Sequence, residues 1–297
     1  MKPAVFDYYT PNSLDESLNL LDKYGFDAKI ISGGQSLVPM MNMRLARPEI
    51  LIDINRLKEL EYIHVMEDHI EIGGLTRHFQ IENSKELQNI CPLIVEGIKL
   101  VGHSQIRSRG TIGGSIAHAD PTAELPVILA TLGGTVTLQS IDEERTLNTD
   151  EFFFTYLTTT MEPNEILTKI QIPRLFGRTG AAIEEFTLRS GDFAIVLASC
   201  SVMIDVDGKL EKAVLVLGGV DGVPVVLDEV TDELVGKVPT MDMIKAATEQ
   251  IADLIDPEGD VHASVAYRKS LAVALSRRVL ARAIQRAQQL VRVKKGG

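Results

Sequence analysis

Two glycine pairs, each leaving a run of apolar β-branched residues, constrain this chain most. The first lies in Ile30-Ile31-Ser32-Gly33-Gly34-Gln35-Ser36-Leu37. The second lies in Thr111-Ile112-Gly113-Gly114-Ser115, followed by Ala119-Asp120-Pro121 and Glu124-Leu125-Pro126. β-branched residues favour strands, and glycine accepts the positive φ of a tight turn. Glycine also lets backbone amides come within hydrogen-bonding distance of an anion. With Ser36, Thr111 and Ser115 as hydroxyl donors, two such segments suggest amides converging on a phosphorylated ligand from two sides.

Familiar nucleotide signatures are absent. The first segment lacks the third glycine of G-x-G-x-x-G, and no Gly-Lys-Ser/Thr occurs. Beside the second pair, Gln105-Ile106-Arg107-Ser108-Arg109-Gly110 offers two guanidiniums. These fit either a diphosphate or salt bridges within the protein. Asp120 and Glu124 stand at i and i+4 around a helix start, as caps or as acceptors for a ribose or ring. His103 and His118 flank the segment as polar lining or incidental residues. No Ser–His or His–Asp constellation emerges, so no catalytic side chain is assigned.

A chain of 297 residues predicts two or three packed subdomains. A net charge of −11 argues against a nucleic-acid surface. No apolar run approaches bilayer length, and the first residues carry no apolar signal core. Cys91 and Cys200 are far apart and lack a C-x-x-C partner. The expectation is two buried thiols in a cytoplasmic protein, with no metal or iron–sulfur cluster on this chain. After Tyr267 come Arg268, Lys269, Arg277, Arg278, Arg282, Arg286, Arg292, Lys294 and Lys295, with no acid among them. This reads as a solvated helix face, a docking surface for an acidic partner, or an arm for RNA or membrane. No aromatics interleave with the charges, which disfavours the last.

Patterning divides the chain into three. Phe6–Tyr9, a helix opening with the capping box Ser13–Glu16 and stopping at Gly25, and strands at Ala28–Ile31 and Leu51–Ile54 predict a small α/β unit over residues 1–55. Tyr62–Val65 and His69–Ile72 alternate around Glu67-Asp68 as a hairpin. Apolar stretches at Ile90–Val101 and Glu124–Leu132 read as helices, and Thr135–Gln139 and Ile166–Ile172 as strands, giving a second unit over residues 56–175. Pro173–Gly180 reads as a linker. Strands at Ala181–Leu188, Ala194–Ile204 and Leu210–Leu217, with a turn at Asp207-Gly208, precede helices at Met241–Leu254 and Ala263–Leu290, a third unit over residues 178–297.

Taken together, these residues resemble the medium, flavin-binding subunit of the molybdenum hydroxylases, the group of carbon monoxide dehydrogenase, xanthine dehydrogenase and the bacterial N-heterocycle and aldehyde dehydrogenases. The similarity runs the full length: Phe6-Asp7-Tyr8, Gly33 to Met41, Arg44-Leu45-Ala46, Asp53-Ile54, Ile72-Gly73-Gly74, Gln105-Ile106-Arg107, Gly110 to Ser115, Ala119 to Pro126, Arg189, Gly191-Asp192-Phe193-Ala194 and Tyr267-Arg268. The resemblance implies an α+β fold in which two N-terminal α/β subdomains clamp FAD, followed by a domain of antiparallel strands and helices. It implies non-covalent FAD held by Ile30, Ile31, Ser32, Gly33, Gly34, Gln35, Ser36 and Leu37 on one side. On the other side it implies Thr111, Ile112, Gly113, Gly114 and Ser115, with Val101, Asp120, Glu124 and Phe193 completing the site.

The resemblance further implies a molybdenum cofactor on a large subunit and two [2Fe–2S] clusters on a small one, in paired heterotrimers. This chain would pass electrons to an external acceptor. Ser115 stands where some relatives have Asn, and Phe193 where the carbon monoxide enzyme has Tyr. Stacking on the flavin survives the second change, while a phenolic hydrogen bond does not. The alternative for Phe193 is a core aromatic. Two other readings stay open: a self-contained flavin oxidoreductase of the same fold, and a scaffold that has lost its flavin.

Overall fold

The computed structural model describes residues 2–293, with side chains described through Gln289. Met1, Lys294 and Lys295 lie outside the described residues, as does the Arg292 side chain. Strands Asp7–Tyr9, Ile50–Asp53 and Ala28–Ile31 form a parallel sheet in that order. The central strand is the apolar one, as a sheet covered on both faces requires. Between the first two strands in sequence runs helix Leu14–Tyr24. The Ser13 hydroxyl accepts from the Glu16 N–H at 3.1 Å. The Glu16 carboxylate reaches back to the Asn12 N–H, one residue before the expected partner. Leu18 and Leu21 bury against the sheet, and Gly25 ends the helix at φ 51°.

The second sheet is antiparallel: Ile63–Val65, His69–Gly73, Ile166–Pro173, Thr135–Gln139 and Glu144–Asn148 in spatial order. Sequence patterning passed over the last strand, because this edge strand, Glu-Arg-Thr-Leu-Asn, buries none of its residues. The stretch Ile90–Val101 is not one helix. The chain breaks at Cys91 between helices Lys85–Ile90 and Pro92–Ile98, and Pro92 occupies the first helical position, where no N–H is needed.

Strands Thr179–Phe186, Val196–Ile204, Leu210–Gly218 and Val225–Val226 make the third, antiparallel sheet. Gly208 takes φ 83° at the expected turn. Helix Val265–Val293 covers one face of this sheet through Leu271, Ala272, Leu275, Val279, Ala283 and Ala287, at helical spacing. Helix Glu124–Leu132 covers the other face, its Val127 sharing a core with Leu197 and Val216. Val196–Ile204 is therefore buried on both sides, and the N-terminus of helix Glu124–Leu132 is fixed by two sheets. The expected helix at Met241–Leu254 is two, Met241–Glu249 and Ile251–Leu254.

The basic C-terminal run is largely paired with acids of the same chain, with Arg268 buried and the other paired guanidiniums still partly exposed. Arg268 is buried and donates to the carbonyls of Ile195 and Gly219 and to Asp260. Arg278 and Arg282 pair with Glu184, Arg277 with Glu249, and Arg286 with Glu96. The balancing acids are distant in sequence, so local charge patterning concealed them. Both cysteines are free and buried, as the composition suggested.

Candidate functional site

The two glycine segments meet. The first leaves strand Ala28–Ile31 and turns into the short helix Leu37–Asn42, with Gly34 at φ 70°. The second is not a loop. Thr111 caps helix Ile112–His118, and Gly113 and Gly114 lie in its first turn. The Thr111 hydroxyl accepts from the Gly114 N–H at 3.1 Å and shares a hydrogen bond with the Ser32 hydroxyl at 3.0 Å.

The glycines serve this junction directly. A Cβ on Gly33 would lie 2.6 Å from the Arg109 carbonyl oxygen and 2.8 Å from the Gly110 Cα. One on Gly113 would lie 2.6 Å from the Gly74 carbonyl oxygen. One on Gly114 would lie 2.8 Å from the Ser32 hydroxyl. Close backbone approach within the chain therefore demands these glycines, in addition to any approach by a ligand.

Over the junction opens a cavity of about 760 Å³, within the range of roughly 300–1,000 Å³ usual for cofactor sites. Ile30, Ile31, Ser32, Gly33, Gly34, Gln35, Ser36 and Leu37 line it. So do Val101, Thr111, Gly113, Gly114, Ser115, Asp120, Glu124 and Phe193. Ile112 does not: its side chain is buried in the core between helix and sheet. The N–H groups of Gly33, Gly34, Gln35 and Ser36 donate to no backbone or side-chain acceptor among the described residues. Phe193 is 68% exposed, which excludes the core-aromatic alternative. His118 lines the cavity, whereas His103 caps helix Ser104–Arg109 and abuts Gly191.

Neither candidate guanidinium reaches the cavity. Arg107 makes a two-pronged bond to Glu82 at 2.8 and 3.2 Å and also donates to the carbonyls of Val101 and Gly102. Arg109 contributes its carbonyl, which accepts from Arg77. Among the described lining residues, Lys29 is the sole lysine or arginine, against the acids Asp120, Glu124, Glu162, Glu165 and Asp192. An anionic ligand here is thus met by amides and hydroxyls rather than by cations. Burial, then the neighbouring Glu185 and Asp120 charges, push the Glu124 carboxyl up to about 8, so it is largely protonated at neutral pH. Asp120 accepts from the N–H and hydroxyl of Thr122, and Glu165 is neutralised by Arg145 at 2.6 Å.

Some lining residues escaped sequence reasoning. The hairpin tip Leu157–Thr159 closes one side, with Leu157 at φ 51° donating its N–H to the Ala119 carbonyl. No local motif marks it. Gly74 and Gly110 also contribute. Gly110 adjoins the second segment in the sequence, whereas Gly74 lies 37 positions before Thr111 and reaches Gly113 only through the fold.

Comparison with known proteins decides the family. The description "FAD binding domain in molybdopterin dehydrogenase" matches residues 4–175, and "CO dehydrogenase flavoprotein C-terminal domain" matches residues 181–283. The chain belongs to the FAD-binding subunits of the molybdenum hydroxylases. It is 40% identical to the 6-hydroxypseudooxynicotine dehydrogenase complex subunit alpha of Paenarthrobacter nicotinovorans, covering 97% of each chain.

Its fold superposes on a carbon monoxide dehydrogenase from Hydrogenophaga pseudoflava with a TM-score of 0.93 and 32% identity, covering 96% of this chain and 99% of the other. It superposes on quinoline 2-oxidoreductase from Pseudomonas putida 86 with a TM-score of 0.92 and 33% identity, covering 97% and 99%. FAD is the cofactor of this chain, and the chain is an oxidoreductase component. The four undonated amides, the touching glycine segments and the cavity fit such a dinucleotide. No helix among the described residues is long and apolar enough to cross a membrane.

Proposed function

We propose that this chain is the electron-transfer subunit of a cytoplasmic heterotrimeric molybdenum hydroxylase, working in paired heterotrimers. When bound, FAD supplies the redox chemistry that links [2Fe–2S] clusters of a small subunit to an external acceptor, the substrate being oxidised at the molybdenum cofactor of a large subunit. Residues 1–55 and 56–175 form the two halves of the flavin clamp, and residues 178–297 the third domain.

The observation that carries this reading is the hydroxyl contact between Ser32 and Thr111 beneath one continuous cavity. The amides of Gly33 to Ser36 donate to the diphosphate. The hydroxyls of Ser36, Thr111 and Ser115 add neutral donors from the facing helix. Protonated Glu124 presents an O–H without adding negative charge beside the ligand. Val101 and Leu37 shield apolar parts of the cofactor from water, and exposed Phe193 offers a ring face for the flavin.

An absorption spectrum of the purified full chain, before and after heat release, tests the reading. A flavin spectrum that leaves on denaturation, from a protein copurifying with molybdenum- and iron–sulfur-bearing subunits, is the expected result. A colourless chain that takes up no added FAD would overturn it.

A further inference from the structure

Two side chains that do not themselves line the cavity tie the glycine segments together. Asn55 follows strand Ile50–Asp53, and its side-chain NH₂ donates to the Ser32 carbonyl at 2.7 Å and to the Asp53 carboxylate at 2.6 Å. Asp53 also accepts from the Asn55 backbone N–H at 2.9 Å and from the Tyr8 hydroxyl. The Asn55 side-chain oxygen accepts from the Arg77 guanidinium at 2.5 Å. Another N–H of that guanidinium donates to the Arg109 carbonyl, whose oxygen a Cβ on Gly33 would meet at 2.6 Å. The backbone on either side of Arg77 is laced to the second segment. The Ile112 N–H donates to the Thr76 carbonyl and the His78 N–H to the Gly110 carbonyl, both at 3.0 Å. Arg77 therefore holds the second segment directly and the first through Asn55.

The consequence for a ligand follows from the geometry of the peptide. A trans peptide is planar, and its C=O and N–H point in opposite directions. The Ser32 carbonyl is turned toward Asn55, so the N–H of the same peptide unit, which belongs to Gly33, is turned away from Asn55. That N–H has no acceptor among the described residues, and Gly33 lines the cavity. The next unit repeats the device: the Gln35 side-chain NH₂ holds the Gly33 carbonyl at 2.9 Å and leaves the Gly34 N–H free. Glycine peptides rotate with little steric resistance. Without the Asn55 contact, the Ser32–Gly33 unit would be free to present its carbonyl, which repels an anion.

We propose that Asn55 and Arg77 are positioning residues for the diphosphate of the bound dinucleotide. They touch no ligand atom, and they orient the Ser32–Gly33 peptide so that its N–H, rather than its carbonyl, meets the anion. The inference rests on the flavin reading above and deepens it, because the amide cradle is set in place before the ligand arrives.

The test uses the full chain with whatever subunits accompany it, stripped of flavin. FAD is titrated while flavin fluorescence is followed, and ADP and adenosine are added as competitors. Asn55→Asp keeps the size of the side chain and an acceptor for Arg77 but loses the donor to Ser32. Affinity for FAD and for ADP is expected to fall roughly tenfold or more in this variant, while affinity for adenosine, which has no phosphate, holds. Arg77→Lys keeps the charge but reaches only one of the two acceptors, and a smaller loss of the same kind is expected. The ³¹P resonances of bound FAD shift in both variants. In wild-type protein labelled with ¹⁵N-glycine, the Gly33 amide resonance moves when FAD is added.

An Asn55→Asp protein of native melting temperature that binds FAD and ADP as wild type does overturns the proposal. So does an equal loss for ADP and adenosine, which marks a general structural role, and so do unchanged ³¹P resonances. Should Asn55→Asp not fold, the wild-type Gly33 amide decides, and a resonance unmoved by FAD defeats the inference. Wild-type protein that takes up no FAD defeats the flavin reading itself, and this inference with it.

Discussion

Replacing Gly33 by alanine tests the glycine junction most directly. The new Cβ would sit 2.6 Å from the Arg109 carbonyl oxygen, where ordinary contact begins at 3.4 Å. The obstacle is backbone, so it cannot swing aside as a side chain would. The two segments must separate by about 0.8 Å, which carries the Ser32–Thr111 hydroxyl pair from 3.0 Å to about 3.8 Å, beyond hydrogen-bonding reach. Overpacking of this kind costs about 1–3 kcal/mol, and the lost bond about 0.5–1.5 kcal/mol. A drop of about 2–4 kcal/mol, divided between stability and FAD affinity, is expected.

Urea unfolding of the flavin-free chain and a FAD titration measure the two shares. Gly259→Ala is the control, because its Cβ meets nothing closer than 3.4 Å and its φ is not in the left-handed region. If Gly33→Ala matches wild type in both assays, the segments do not depend on their close approach, and the reasoning fails.

Two further perturbations read other parts of the same argument. Glu124 is raised from the ordinary carboxyl value of 4.5 to about 8 in the fold. The stability linked to it is therefore full below pH 4.5 and is lost as pH rises toward 8. Glu124→Gln should flatten this decline and stabilise the flavin-free chain by roughly 2–3 kcal/mol at pH 7, with little change at pH 4. Parallel pH–stability curves for the two proteins would refute the burial argument. Arg268→Ala strands the carbonyls of Ile195 and Gly219 and removes the ion pair to Asp260. It should cost about 3 kcal/mol or more in urea unfolding, and a loss under 1 kcal/mol would show that the guanidinium is not what joins them.

Legibility followed the range of the interactions. Strands at Ala28–Ile31, His69–Gly73, Ile166–Pro173 and Leu210–Gly218 were readable because one face or both must be apolar, and that pattern is local. The short helices Leu37–Asn42, Ser104–Arg109 and Ile112–His118 were not, since glycine pairs and polar runs carry weak helical signals. Every site residue named from the sequence except Ile112 lines the cavity, those of the glycine segments through their motif and Val101, Asp120, Glu124 and Phe193 through the family resemblance, while much of the remaining wall went unnamed. The Ile112 side chain turns into the core because a residue inside a motif need not face the same way as the motif. His78 and the Leu157–Thr159 tip were missed because their proximity to the cavity depends on chain segments far away in sequence.

By itself the sequence determined the classes of most elements and marked out the two glycine segments. These depend on period, composition and the special backbone freedom of glycine, all of which act over a few residues. Only the tertiary structure decided that Ser32 touches Thr111 across 79 positions and that Arg107 belongs to Glu82 rather than to a ligand. It alone decided that the basic C-terminal helix pairs with Glu184, Glu249 and Glu96. The reason is physical: charge pairing, burial and pKa are set by neighbours in space, and chain order does not specify those neighbours until the sheets have packed.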